Sequence, residues 1–192
     1  MTQRQIQAQE TKHLIQVSFT ELLKDKDFEK IGIRDITAKA GVSPGTFYLY
    51  FKNKEEALLY IYRAADEAFL NLDMTEDPWE NLKRIFTLYF RMVDAPSRNT
   101  TKSIYISHLK YFNSYFLDEN RNLFIFLERE MKKLIIDKEN SRKASWRVLE
   151  FCRGRVYNHL IGKETVIKTW REEQLTLTLD YIHYIASQES II

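Results

Sequence analysis

Apolar residues recur along the chain at three- and four-residue intervals, and the polar stretches between them mark where one helix stops and the next begins. Leu14, Val17, Phe19 and the Leu22-Leu23 pair predict a helix over Glu10 to Lys24, preceded by a polar lead at residues 1 to 9. Ile33, Ile36 and Ala40 give a short second helix one apolar stripe, and Phe47 and Phe51, four apart, do the same for a third. A fourth runs from Lys54 to about Leu72 on Leu58, Ile61, Tyr62, Ala65 and Phe69. Asp77-Pro78-Trp79-Glu80 is a helix start, with Asp77 as cap, Pro78 at the first helical position and Glu80 closing a capping box. That fifth helix reaches about Val93, and Pro96 marks the break. Further helices are predicted over Thr101 to Phe112, Asp118 to Ile136, Ser141 to Ile161 (ended by Gly162) and Thr165 to Ala186. No stretch competes as a strand, so the expected class is all-α with about nine helices.

Between the second and third helices the punctuation is dense. Gly41, just past the last periodic residue, accepts the left-handed conformation of a tight turn, and Val42 plugs the angle between the helices. Ser43 is placed to cap the third helix, and Pro44 at its first position gives up no hydrogen bond. Asp27 stands at the end of the first helix as one of the few side chains that tolerate a left-handed backbone. With Phe47 and Phe51 inside, Gly45, Thr46, Tyr48, Leu49 and Tyr50 are left on the open face. Gly45 permits close approach of a ligand backbone, Thr46 offers a methyl and a hydroxyl, and Tyr48 and Tyr50 can donate to phosphate oxygens. Asn53 can cap the fourth helix with Glu56 three residues on, placing Lys54 at a helix N-terminus that favours phosphate. This is helix-turn-helix grammar.

Residues from about Leu14 to Leu59, about a quarter of the chain, resemble the N-terminal DNA-binding domain of the tetracycline-repressor (TetR) family of bacterial transcription regulators, with Ala-Gly-Val-Ser-x-Gly-Thr-x-Tyr-x-x-Phe-x-x-Lys-Glu at Ala40 to Glu55. The resemblance implies that Ser43, Gly45, Thr46, Tyr48, Tyr50 and Lys54 face DNA, with Arg34 a further candidate and Pro44 on the same surface. The chain departs from the family at three points: Gly32 stands where a Thr or Ser usually caps the second helix, Asp27 where a glycine commonly closes the first, and Tyr50 where a His is often found. The first costs a hydroxyl contact to phosphate. The third removes a group that would titrate near neutrality.

The 192 residues leave room for a second domain, so the expected division is 1–53 for the DNA-binding head and 54–192 for the remainder, fused through the fourth helix. Net charge is +2, and residues 1 to 54 hold nine Lys or Arg against six Asp or Glu, a basic excess too small to argue DNA by itself. Cys152 is single, which excludes an intramolecular disulfide framework and fits a reducing compartment; it reads as a small buried hydrophobe. No apolar run approaches membrane-span length, so the expected location is the bacterial cytoplasm, at the nucleoid.

Beyond the head, the chain is rich in large rings, and several of them between helices can leave a concave apolar site with a few polar handles. The family resemblance implies such a cavity, and Phe86, Phe90, Tyr105, His108, Phe112 and Trp146 are the candidate wall. The last two helices offer an association surface: Leu149, Cys152, Val156 and Leu160 on one face with Gly154 allowing close approach, and Trp170, Thr178, Ile182 and Ile185 on the other helix.

The expected function is a sequence-specific, homodimeric DNA-binding transcriptional regulator. The resemblance makes it a repressor, released from a palindromic operator by a small, largely apolar effector. The alternatives are an activator or co-repressor-dependent regulator, and a helical small-molecule-binding or interaction protein. An enzyme is not expected: no nucleophile-base pair, phosphate-binding glycine loop or metal-ligand cluster appears, and His13, His108, His159 and His183 fall on different helices. No cofactor and no metal is implied.

Overall fold

The computed structural model describes residues 2–95, 97–111, 114–162 and 167–189, and among these every regular element is helical. Helix α1 spans Gln3–Asp25, and so takes in the polar lead as a solvated helix end. The cause is local. Thr2 accepts the Gln5 amide at 3.3 Å while the Gln5 side chain accepts the Thr2 amide at 2.8 Å, a reciprocal box that starts the helix early. At the other end Lys26 is extended and Asp27 has φ −61, so Asp27 is not left-handed; it leads into a 3-10 turn at Phe28–Lys30.

Helix α2 (Ile33–Ala40) and helix α3 (Pro44–Tyr50) follow as predicted, and α4 covers Lys54–Asp66. The fourth helix stops short of Leu72 and tightens into a 3-10 turn at Glu67–Asn71, because Asp66 is committed elsewhere. Its carboxylate accepts the Asn122 amide at 2.7 Å and the Leu123 amide at 3.4 Å and lies 3.6 Å from Arg121, capping α7 (Asn122–Leu134). That cap also moves the start of α7 past Asp118, which instead closes a turn onto Asn120. Helix α5 spans Pro78–Met92; Asp77 caps it on Trp79, but Glu80 turns to Arg84 at 3.1 Å and closes no box. Helix α6 (Arg98–Lys110) begins at a Ser97 cap, α8 covers Lys138–Ile161 from an Asp137 cap, and α9 covers Ile167–Glu189. Gly162 ends α8 at φ −74, with no left-handed residue. The predicted break at Pro96 and helix start at Thr165 lie outside the described residues.

The chain forms two compact units that do not follow the expected 1–53 and 54–192 division: Met1–Ala65 with Asp94–Phe116, and Asp66–Val93 with Leu117–Ile192. In the first, Ile15, Phe19, Ile36, Phe47, Phe51 and Leu58 make one buried core, to which α6 adds Ile104. Helix α6 is bolted to the end of α1. The Asn99 amide donates to the Leu23 and Lys26 carbonyls at 3.0 and 2.9 Å, satisfying acceptors that a helix end leaves open, and Lys110 pairs with Glu29 at 2.7 Å.

In the second unit α5 packs on α7 and α9, and α8 packs on α7 and α9. Phe86, Phe90, Leu127, Met131, Val148 and Ile182 are buried there. One buried charge is fully engaged: Glu130 accepts from Asn81 at 2.9 Å, Lys133 at 2.7 Å and Arg129 at 2.9 Å, while Asn81 also holds the Thr75 backbone. Burial pushes the Glu130 carboxyl up, yet the three donors outweigh it and hold it below the usual carboxylate range.

Candidate nucleic-acid interface

The turn between α2 and α3 is fixed by backbone geometry. Gly41 adopts φ 67, ψ 28, and the Val42 amide reaches back to the Thr37 carbonyl at 3.0 Å, closing a Schellman motif. Any residue with a Cβ would pay about 1 kcal/mol in that left-handed conformation. Gly32 caps α2 from its amide, which donates to Asp35 at 2.8 Å. The next cap is a side chain: Ser43 Oγ accepts the Thr46 amide at 3.0 Å, with Pro44 in the first position of α3.

Phe47 is fully buried and meets Phe51 at 5.5 Å, so the two rings anchor α3 from behind. What remains outward is Ser43, Pro44, Gly45 and Tyr48, all exposed, with Leu49 at 78% exposure beside them. Tyr48 packs edge-on against Phe47 at 5.7 Å, which holds its ring while leaving the hydroxyl in solvent. Thr46 is half-buried and its hydroxyl is shared with Ser43 at 2.9 Å. Tyr50 is half-buried too, with the Lys12 ammonium 5.8 Å from its ring. Arg34 is exposed on α2.

Lys54 does not present its charge outward. Its ammonium donates to the Phe28 and Ile31 carbonyls at 2.8 and 3.1 Å and sits 4.3 Å from the centre of the Phe28 ring, tying the start of α4 to the turn after α1. The cations that lie nearby and outward are Lys52, exposed just before α4, and Lys12 on α1. The motif drew attention to Lys54 alone; the helix-start position of Asn53, whose side chain accepts the Glu56 amide at 2.8 Å, was the signal that Lys52 precedes the same amide-rich end.

The six candidate ligand-wall residues fall in different places. Phe86 and Phe90 are in the core of the second unit, 6.4 Å apart, and Trp146 in the same unit donates to Glu119 at 2.7 Å. Tyr105 and His108 belong to the first unit, both against Phe116, and the His108 Nδ1 is 2.8 Å from the Ile104 carbonyl of its own helix. Phe112 lies outside the described residues. A surface groove of about 310 Å³ in the second unit is lined by Leu72, Lys83, Arg84, Leu88 and Arg91 among others, and by none of the six.

The candidate association face is turned inward. Leu149, Cys152, Val156, Leu160, Trp170, Thr178, Ile182 and Ile185 are all buried within the chain, and Cys152 meets the Thr178 hydroxyl at 3.5 Å. An apolar stripe at helical spacing says that a face is covered, and here the cover is the chain's own bundle. Burial pushes the Cys152 thiol up to about 12. Gly154 alone of the set is exposed, and a Cβ there would meet nothing within 4 Å.

Two short helices locked by a left-handed glycine, the second anchored by aromatics and open along its N-terminal half, define a helix-turn-helix protein of the DNA-binding kind. Residues 20–61 match the family model of the tetR family of bacterial regulatory proteins. It is 28% identical over 167 residues, 82% of this chain and 80% of the other, to the HTH-type dhaKLM operon transcriptional activator DhaS of Lactococcus lactis. Over 75 residues, 36% of this chain and 35% of the other, it is 36% identical to the HTH-type transcriptional regulator EthR of Mycolicibacterium smegmatis. The whole chain has the fold of solved regulators of this kind: a transcriptional regulator from Aquifex aeolicus aligns at TM-score 0.61 and 22% identity over 90% of this chain and 99% of that one. The dihydroxyacetone kinase operon activator DhaS aligns at 0.60 and 19% over 95% and 97%. No helix among the described residues is long and apolar enough to cross a membrane.

Proposed function

We infer that the chain is a homodimeric regulator that reads a palindromic operator through the exposed N-terminal half of α3. The observation that carries this is the placement of Ser43, Gly45 and Tyr48 on one open surface of a rigidly capped helix, with Arg34, Lys52 and Lys12 as the cations for phosphate. Thr46 and Tyr50 serve from its flank. Lys54 acts from behind, by holding α4 against the head.

One α3 supplies few base contacts, whereas a two-fold pair reads half-sites about 34–36 Å apart. The dimer surface is the outer face of α8, where Gly154, Tyr157 and Ile161 recur at intervals of three and four and the last two are 50% and 66% exposed, together with Tyr184 of α9. A small molecule bound in the second unit favours a different spacing of the two heads and so opposes operator binding, with a coupling of about 1–3 kcal/mol. On this reading the regulator is a repressor.

Activation is a second reading, supported by the Lactococcus relative, which is named an activator. Deleting the gene in its host while mapping the DNA the protein occupies separates them. Transcripts next to occupied sites rise if it represses and fall if it activates; no occupied sites would contradict both.

A further inference from the structure

The interior faces of α8 and α9 are apolar or small through Val148, Cys152 and Val156 and through Thr178, Ile182 and Ile185, then break that pattern at one end. Arg155 of α8 and Arg171 and Gln174 of α9 meet there, beside the C-terminal end of α5. Arg155 Nε donates to Gln174 Oε1 at 2.5 Å, and an Arg171 Nη donates to the Val93 carbonyl at 2.7 Å. Both arginines are half-buried. Among the described residues neither is paired with a carboxylate, although Arg84, Arg121, Arg129 and Arg142 all are.

Two donors at this corner lack an acceptor among the described residues. Gln174 is fully buried with its Nε2 unpartnered, and the buried Nε of Arg171 is unpartnered as well. Buried donors and an unneutralised guanidinium are costly unless an acceptor with negative charge joins them, and the planar fork of arginine matches a carboxylate. The adjoining side chains are aromatic and buried: Trp170 stacks on His159 at 4.2 Å and stands edge-on to Phe90 at 5.8 Å.

We propose that Arg155, Arg171 and Gln174 form an anion site inside the second unit for the carboxylate of a small acid whose apolar body lies toward Trp170 and Phe90. This deepens the effector-binding reading above and rests on it for the site's use in regulation. The acid supplies the acceptors that Gln174 Nε2 and Arg171 Nε lack, and its charge neutralises the arginine pair.

Thermal unfolding of the full chain, without DNA, tests the site. Sodium phenylacetate should raise Tm in proportion to the logarithm of its concentration, while 2-phenylethanol and sodium chloride at matched ionic strength should not. Arg171→Met should weaken the apparent affinity for phenylacetate by roughly tenfold or more. In the absence of ligand it should melt no lower than wild type, since it removes an unneutralised charge. Gln174→Leu should weaken the same response. The proposal is overturned if phenylacetate, benzoate and hexanoate all leave Tm unmoved, or if inorganic phosphate stabilises as well as phenylacetate does. It is equally overturned if Arg171→Met melts lower and keeps the response, which would make the guanidinium a cap on α5. If Arg171→Met instead weakens dimerisation in sedimentation equilibrium, the second subunit's carboxylate fills the site and the small-acid assignment fails. Because every readout omits DNA, a protein that answers to phenylacetate but binds no operator contradicts the regulator reading and not the site.

Discussion

A methyl group added at Gly45 would meet the Ser43 hydroxyl at 3.5 Å and nothing closer, so nothing within the chain requires a glycine there. On the proposed reading the constraint comes from outside, from a DNA backbone or base edge approaching α3. Gly45→Ala should therefore keep or slightly raise the melting temperature, since alanine favours a helix by about 0.5–1 kcal/mol, while operator affinity falls by roughly tenfold or more in fluorescence anisotropy. Lys54 calls for the opposite outcome. With two carbonyl bonds and the Phe28 ring on its ammonium, Lys54→Ala should cost about 1–3 kcal/mol in urea unfolding, and any loss of DNA binding should follow that destabilisation. The motif made both residues look alike because it records spacing. Gly41, Ser43 and Pro44 were legible because their reasons are local, in a cap and a turn; Lys54 was not, because its partners are 23 and 26 residues away.

Among the elements, helix periodicity located most buried faces but not that of α1, where Leu14 and Val17 are exposed and Ile15 and Ser18 turn inward with Phe19 and Leu23, and it said nothing of what covers a face. The stripe Leu149, Cys152, Val156, Leu160 reads equally as a dimer seam or an internal one, and α9 and α7 take the second role. Helix α6 shows the same limit. Its own sequence is weakly patterned, and its place in the first unit is set by Asn99 on the α1 carbonyls and by Lys110 on Glu29, contacts spanning more than seventy residues. The Glu130 network that joins α5, α7 and the Thr75 segment gives a pH-dependent test. A carboxyl held below its unfolded value adds stability that is present above the ordinary carboxylate range and is lost as pH falls through the lower folded-state pKa. Glu130→Ala should cost about 3–5 kcal/mol at neutral pH, and the gap in Tm from wild type should narrow as pH is lowered toward about 3. A gap that stays constant with pH would show that the charge contributes nothing.

For the molecule as a whole, the account needs two chains. Tyr157 is half-exposed at the centre of the α8 outer stripe, between Gly154 and Ile161, and in the proposed dimer a carboxylate there is buried against its two-fold mate. Tyr157→Glu should leave the helical circular dichroism and melting of the monomer intact, shift sedimentation to a single chain, and abolish operator binding although α3 is untouched. Dimerisation unaffected by Tyr157→Glu would place the interface elsewhere.

The central claim is that the open face of α3 reads DNA in a two-fold pair, and selection from random duplex DNA tests it most directly. The purified protein should enrich a palindrome with half-site centres about one helical turn, or a whole number of turns, apart. Affinity for it should fall steeply between low and physiological salt, and Tyr48→Ala should lower that affinity while leaving the fold intact. Recovery of no common sequence, or of one that Tyr48→Ala binds as well as wild type, would contradict the account.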